Sequence, residues 1–411
     1  MKLFKEKSMF KNKNFILLWL GQLVSLLGNR FHEIASMWYI YESTGSPLKM
    51  GITLIFSTLP SVILGPFAGA FADRYDRKKI IVFSDLINGC IVGTIAALIF
   101  TQTMEIWMLY LLAGLRSVTS TFFGPAISAV VPSIVEKEQL VKANSLNQLS
   151  SSFTGILGYA AGGVMIAVLG IPGLFLFDSI SFILSGISEA FIEVPRVNRE
   201  AAAAEIQGMK NEIFEGIRFI MSNKKLFHFI VVGGIIINFF LAPIEIYVTV
   251  FARQRLNMGS EAFGILLSAI TAGSLTMAPL VPVLGKRFSY YTLTFIGLTL
   301  EGVFIMLLGI SENFYMALII QALMGASICM CNVSLNTVFQ TLIPNEMLGR
   351  VGGILQTMCQ ATIPLGYLLG GMVTERLSLT LVLVASGIAV ALSGLSTFKV
   401  TREGEQKKLE F

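Results

Sequence analysis

The chain has 411 residues, of which 54% are hydrophobic and only 13% charged. A soluble domain carries about 25% charged residues, so this composition excludes a water-soluble protein and makes lipid the solvent for most of the surface. The net charge of +5 is no mark of nucleic-acid binding, because the basic residues gather in short segments between apolar stretches.

A membrane-spanning helix needs about 20 mainly apolar residues. Such stretches fall at 14–41, 47–71, 79–101, 105–130, 143–169 and 172–193, and again at 226–250, 259–284, 289–310, 313–338, 350–374 and 378–398. They predict an all-α membrane protein of twelve transmembrane helices. Its parts are a six-helix bundle over 1–194, a linker over 195–224, a second bundle over 225–398 and a tail over 399–411. The basic start, Lys2, Lys5, Lys7, Lys11 and Lys13, runs into the first apolar stretch with no small-residue cleavage site and reads as a retained span. With the N-terminus inside, Arg74, Arg77, Lys78, Lys79, Lys137, Lys142, Arg196, Arg199, Lys286, Arg287 and Arg350 fall on the cytoplasmic side. Only Lys49, Arg253, Arg255 and Arg376 fall outside. That asymmetry follows the positive-inside rule and places both termini in the cytoplasm.

The first span carries the densest polarity: Gln22, Ser25, Asn29, Arg30, His32, Glu33 and Ser36. At the helical repeat, Gln22, Asn29, Glu33 and Ser36 fall within roughly 60° and are expected to form one stripe facing a cavity. Burial would favour a proton on Glu33 while Arg30, one turn earlier, would oppose it. Glu33 is therefore a candidate proton carrier; a plain Arg30–Glu33 structural pair is the other reading.

The loop after span two reads Gly69-Ala70-Phe71-Ala72-Asp73-Arg74-Tyr75-Asp76-Arg77-Lys78-Lys79. Gly69 is expected to let two helices approach, Asp73 to attract a helix N-terminus, and Arg74, Arg77 and Lys78 to pair with acids on neighbouring helix ends. Arg116 lies inside span four, where an arginine needs a polar cavity or a partner. Span five carries Gly155, Gly158, Gly162 and Gly163, a small-residue face expected to pack on another helix, here one of the second half.

Asp85 and Glu189 near cytoplasmic ends and Asp178 near the external end read as structural. In the linker, apolar positions 213, 214, 217, 220 and 221 recur at helical spacing, predicting an amphipathic helix on the cytoplasmic surface. Glu245 follows Pro243, a predicted kink. Glu301 lies in the middle of span nine. Both are further candidate carriers of a proton. Glu138-x-Leu140-x-Lys142 after span four and Glu346-x-Leu348-x-Arg350 after span ten stand 208 residues apart (138 to 346), which points to duplicated halves. The four cysteines lack metal or redox spacing, and with two histidines no metal centre or catalytic residue is expected.

The Gly69–Lys79 loop resembles motif A of the major facilitator superfamily, departing from it at Asp76, where a Gly is usual. Gly155-Ile156-Leu157-Gly158-Tyr159-Ala160-Ala161-Gly162-Gly163 resembles motif C of proton-driven drug antiporters, with Tyr159 in place of Pro. Arg116 stands where that family's motif B has its intramembrane Arg. Leu18-Trp19-Leu20-Gly21-Gln22, Leu27-Gly28-Asn29, Thr44-Gly45-Ser46, Phe123-Gly124-Pro125-Ala126 and Asp178-Ser179-x-Ser181-Phe182 are similar to the third drug:proton antiporter family. The resemblance implies a major facilitator fold of two pseudo-symmetric six-helix halves. It also implies that motif A is a conformational latch and that Arg116 modulates protonation of an acid. The expected activity is proton-coupled export of a lipophilic or amphipathic small molecule, such as a macrolide, by a monomer in a bacterial cell membrane. No cofactor is expected beyond the proton gradient, since no Walker A sequence is present, and no nucleic-acid partner. A dedicated exporter of a siderophore, peptide or lysolipid, and a transport-inactive sensor, are the competing expectations.

Overall fold

The computed structural model describes residues 12–194 and 209–398. The basic start before residue 12, the linker positions 195–208 with Ala201–Ala204, and the 399–411 tail lie outside the described residues. Every regular element among the described residues is helical, as lipid requires, since a helix satisfies its own backbone hydrogen bonds.

In chain order these are α1 (Lys13–Thr44), α2 (Pro47–Arg74), α3 (Arg77–Phe100), α4 (Ile106–Ile134), α5 (Leu140–Ala190) and α6 (Met209–Ser222). Then come α7 (Lys224–Arg255), α8 (Ser260–Met277), α9 (Val281–Leu284), α10 (Tyr290–Ile310), α11 (Phe314–Leu342), α12 (Leu348–Ala361), α13 (Ile363–Arg376) and α14 (Leu379–Ser396). Polar residues set many of the starts by accepting from exposed backbone N–H groups. Asn12 takes Phe15 N–H at 3.2 Å, Asn223 takes Leu226 N–H at 3.1 Å, and Ser289 takes Thr292 N–H at 3.1 Å.

The breaks are equally local. α5 is interrupted at Gly170, whose φ of 69° suits glycine, with Pro172 just beyond. α7 breaks at Ala242–Pro243, the expected kink, and is π-helical over Ile230–Ile236 and Phe251–Arg255. Nine helices among the described residues are long and apolar enough to span a membrane. α1 is long enough but is interrupted by Gln22, Asn29, Arg30, His32 and Glu33, and α12 and α13 have 14 residues each.

The chain separates into two compact units, Met1–Ser36 with Phe56–Ala204, and Met37–Ile55 with Glu205–Phe411. In the first unit, α3 lies along the second arm of α5: a Cβ on Gly89 would stand 3.2 Å from the Ser179 carbonyl. In the second unit, α10 meets α14 and α8 meets α11 at similarly close crossings. A Cβ on Gly302 would stand 2.5 Å from the Gly387 carbonyl. The hairpin 37–55 belongs to the second unit because it is tied there. Ser46 Oγ donates to Glu375 Oε2 at 2.5 Å, and Leu48 N–H donates to the same oxygen at 3.0 Å. These donors hold the Glu375 carboxyl, beyond the apolar part of α13, below its ordinary range.

The amphipathic linker helix is present as α6. Ile220 is buried with Leu226, Ile230, Ile343, Val351 and Leu355, and Glu215 pairs with Arg350 of α12 at 3.1 Å. Only part of the predicted face is used: Phe214 and Met221 are exposed.

Candidate functional site

The polar residues of α1 are the hub of the first unit, but they do not face a single cavity. Glu33 turns to α5. Arg30 Nη1 donates to Glu33 Oε2 at 2.9 Å and to Tyr159 Oη at 2.9 Å, while the Tyr159 hydroxyl donates to Glu33 Oε2 at 2.6 Å. The three groups close a triangle. The guanidinium also sits over the Tyr159 ring, 5.1 Å from its centroid. The Glu33 side chain keeps 36% of its surface accessible and Arg30 23%, so this charged pair is desolvated only in part.

Asn29 turns to α4 instead, where Arg116 Nη2 donates to its Oδ1. Arg116 has its predicted polar partner, and its guanidinium also lies 5.6 Å from the centre of the Phe182 ring. Gln22 turns to the end of α5, with Nε2 donating to Glu189 Oε1 at 2.7 Å and to Ser185 Oγ at 3.3 Å. Ser36 is buried. Residues that share one arc on α1 thus separate onto three neighbours because α4 and the two arms of α5 all pack around that arc.

The small-residue face of α5 packs on α1 within the same unit. A Cβ on Gly158 would stand 2.7 Å from Arg30 Cβ, and one on Gly162 would stand 3.2 Å from Phe31 Cδ1. Gly155 and Gly163 are buried as well. The close approach at Gly158 is what brings Tyr159 onto Arg30 and Glu33. Tyr159 is the member of this triangle that the sequence marks only as a departure from a motif.

A second pair was also missed. His32 Nδ1 stands 3.1 Å from Asp178 Oδ2, and both residues are buried, with the Phe175 ring edge-on to the imidazole at 5.0 Å. The only sequence signal was His32 inside the polar run of α1; its partner lies 146 positions further on (32 to 178).

The loop between α2 and α3 differs from expectation in two ways. Among the described residues no atom outside its own helix lies within 4 Å of a Cβ on Gly69, so no close approach is seen there. The helix cap is Asp76, whose Oδ1 accepts Lys79 N–H at 3.3 Å, and not Asp73. A carboxylate at that position suits the positive end of α3, which accounts for the departure from Gly. Asp73 instead pairs with Arg77 Nη2 at 3.0 Å, one turn along. Arg74, at the end of α2, is exposed, and Lys78, in the first turn of α3, is half-buried.

In the second unit, Glu245 is half-buried just after the Pro243 break. Glu301 is 1% exposed, and among the described residues neither of its carboxyl oxygens has a hydrogen-bond partner. It faces Cys331 of α11.

The sequence profile of the transmembrane secretion effector family matches residues 6–410. The chain belongs to that family. Transmembrane secretion effectors are major facilitator transporters, not enzymes, and relatives over nearly the whole length agree. Macrolide efflux protein A of Streptococcus pyogenes is 25% identical over 378 residues, covering 92% of this chain and 93% of that protein. The multidrug efflux pump Tap of Mycolicibacterium fortuitum is 24% identical over 394 residues, covering 94% and 95%. Among solved structures, a bacterial homologue of the iron transporter ferroportin, in an inward-facing state, superposes with a TM-score of 0.74 at 15% identity. It covers 96% of this chain and 99% of that one. A bacterial homologue of the lysosomal transporter Spinster gives 0.74 at 12% identity, covering 96% and 98%. At such identities these two establish the fold, that of a multi-pass major facilitator transporter.

Proposed function

We propose that this transmembrane secretion effector exports a lipophilic or amphipathic small molecule, of the macrolide or multidrug kind, in exchange for protons across a bacterial cell membrane. The observation that carries the reading is the Arg30–Glu33–Tyr159 triangle. A carboxylate inside a spanning helix costs free energy unless it is paired, and here one oxygen serves two donors while a third of the side chain stays accessible. Arg30 Nη1 also reaches Oε1 at 3.2 Å, so a proton arriving on either oxygen of Glu33 competes with Arg30, and on Oε2 with Tyr159 as well. Loading the proton therefore frees Arg30 and loosens α1 from α5, and unloading restores the triangle. Such a group can link proton binding to alternating access. The efflux relatives support the direction and the substrate class.

The same proposal takes twelve passes and cytoplasmic termini. α5 crosses twice around Gly170, and α1 and the α12–α13 pair join the other apolar helices. A monomer with no bound cofactor suffices, the proton gradient supplying the energy.

The test is proton release from purified, reconstituted protein on adding a panel of macrolides, other lipophilic drugs and siderophores, with Glu33→Gln alongside. Release from the wild type that is lost in Glu33→Gln is the expected result. Equal release from both would make Glu33 structural. Release by siderophores alone would turn the reading to a dedicated exporter, and no release by any compound would remove proton antiport.

A further inference from the structure

The end of the first unit where α1 begins and α5 finishes holds two acids that the triangle does not use. Asp85 of α3 is 1% exposed and Glu189 of α5 is 0% exposed. They lie close enough to interact electrostatically, and the Ser185 hydroxyl is in hydrogen-bonding reach of both. Asp85 Oδ2 and Glu189 Oε2 are buried with no hydrogen-bond partner among the described residues. No basic side chain lies against either carboxyl among the described residues. The other titratable group that Asp85 feels is Asp178, an acid again, and that one has His32 beside it at 3.1 Å. Arg30 and Arg116 are engaged with Glu33 and Asn29.

Two carboxylates in such a place cannot both be ionised. Each buried ion costs several kcal/mol, and two like charges in a low dielectric add to that cost. One proton removes a charge and turns one of the two unsatisfied oxygens into a donor. A route for that proton is also present. Gln22, whose amide donates to Glu189 Oε1 at 2.7 Å, lines a cavity of about 190 Å³ together with Trp19, Leu26, Val131, Asn147 and Ser150. That is room for a few waters at ~30 Å³ each, with polar groups to hold them.

We propose that Asp85 and Glu189 form a second proton-binding site in the first unit, the pair holding one proton that exchanges with water in the adjoining cavity, Gln22 standing between. That this proton serves transport rests on the antiport reading above; that it is bound does not.

The test is infrared spectroscopy of the full-length protein in lipid nanodiscs, without drug, at neutral pH. The wild type should show a protonated-carboxyl C=O band that shifts in D₂O. Glu301, buried with both oxygens unpartnered among the described residues, contributes to the same spectral region, so all variants are built on Glu301→Gln. On that background Asp85→Asn with Glu189→Gln should lose the remaining band, while Glu33→Gln keeps it. Each amide copies the neutral acid, so Asp85→Asn and Glu189→Gln are also made singly, and either one should alter the band. Gln22→Leu keeps both acids and should slow hydrogen–deuterium exchange of the band at least about tenfold, the effect of ~1.4 kcal/mol on a barrier. A spectrum unchanged by the double and single substitutions overturns the proposal, as does loss of the remaining band on adding sodium, which would make this a metal-cation site. Because no drug is added, failed drug-driven proton release elsewhere would overturn antiport alone, and an unchanged spectrum here would overturn the pair alone.

Discussion

At Glu33, an arginine and a phenol share one carboxylate oxygen, and the phenol is the more informative partner. Arg30 could be read from the sequence, since it stands one turn before Glu33 on the same helix. Tyr159 could not, because it reaches Glu33 only through the α1–α5 contact, 126 residues away in sequence. Its hydroxyl donates to the charged form of Glu33, a bond of the charge-assisted class worth ~1.5–3 kcal/mol. Tyr159→Phe keeps the ring over Arg30 and removes that donor alone. Drug-driven proton release at a single pH is expected to fall about tenfold, equivalent to ~1.4 kcal/mol, with thermal stability nearly unchanged. A purely structural tyrosine would lower expression or thermal stability and leave release per folded protein where it was. The same limit hid Asp178 from His32 and Glu189 from Gln22: polar groups spaced along one helix are visible in sequence, whereas their partners depend on which helices meet.

At the scale of the helix, apolar runs, capping residues and breakers were legible. The expected spans at 79–101, 289–310 and 313–338 differ by only a few residues from α3, α10 and α11, because Asp76, Ser289 and Asn313 mark their starts. Less legible was which small residues carry contacts. Gly69 belongs to the more recognisable motif yet meets open space among the described residues, whereas Gly158 lies against Arg30 in a motif that the sequence matches imperfectly. A spacing pattern identifies a face that permits close approach, but a neighbour must still be supplied by the fold. The two glycines should therefore respond in opposite ways to the same substitution. Gly158→Ala forces α1 and α5 apart and is expected to lower thermal stability by ~1–3 kcal/mol, the usual range for overpacking, and to weaken transport with it. Gly69→Ala fits without contact and should change stability by less than ~0.5 kcal/mol. Thermal unfolding of both proteins in one detergent checks the ordering. A larger loss at Gly69 would mean that its face is covered in the protein as it works.

Across the whole molecule, the duplication inferred from two short loops reappears in the buried contacts of the two units. Gly89 of α3 approaches Ser179 of α5, and Gly302 of α10 approaches Gly387 of α14, at offsets of 213 (89 to 302) and 208 (179 to 387). The residue before each glycine is polar and buried. Asn88 is hydrogen-bonded to Thr119 and Ser120 of α4, while Glu301 faces Cys331 of α11. Glu301 thus occupies the place that an amide fills in the first unit, at the same offset of 213 (88 to 301). With no cation against it and both oxygens unpartnered among the described residues, a neutral carboxyl is the form that costs least there. A neutral amide should serve equally well, so Glu301→Gln is expected to fold normally and to keep drug-driven proton release within about twofold, the span of ~0.4 kcal/mol. The decisive comparison places Glu301→Gln beside Glu33→Gln in the same vesicles. If Glu301→Gln abolished release while Glu33→Gln preserved it, the coupling carboxylate would lie in the second unit, and the triangle on α1 would be a helix clamp only.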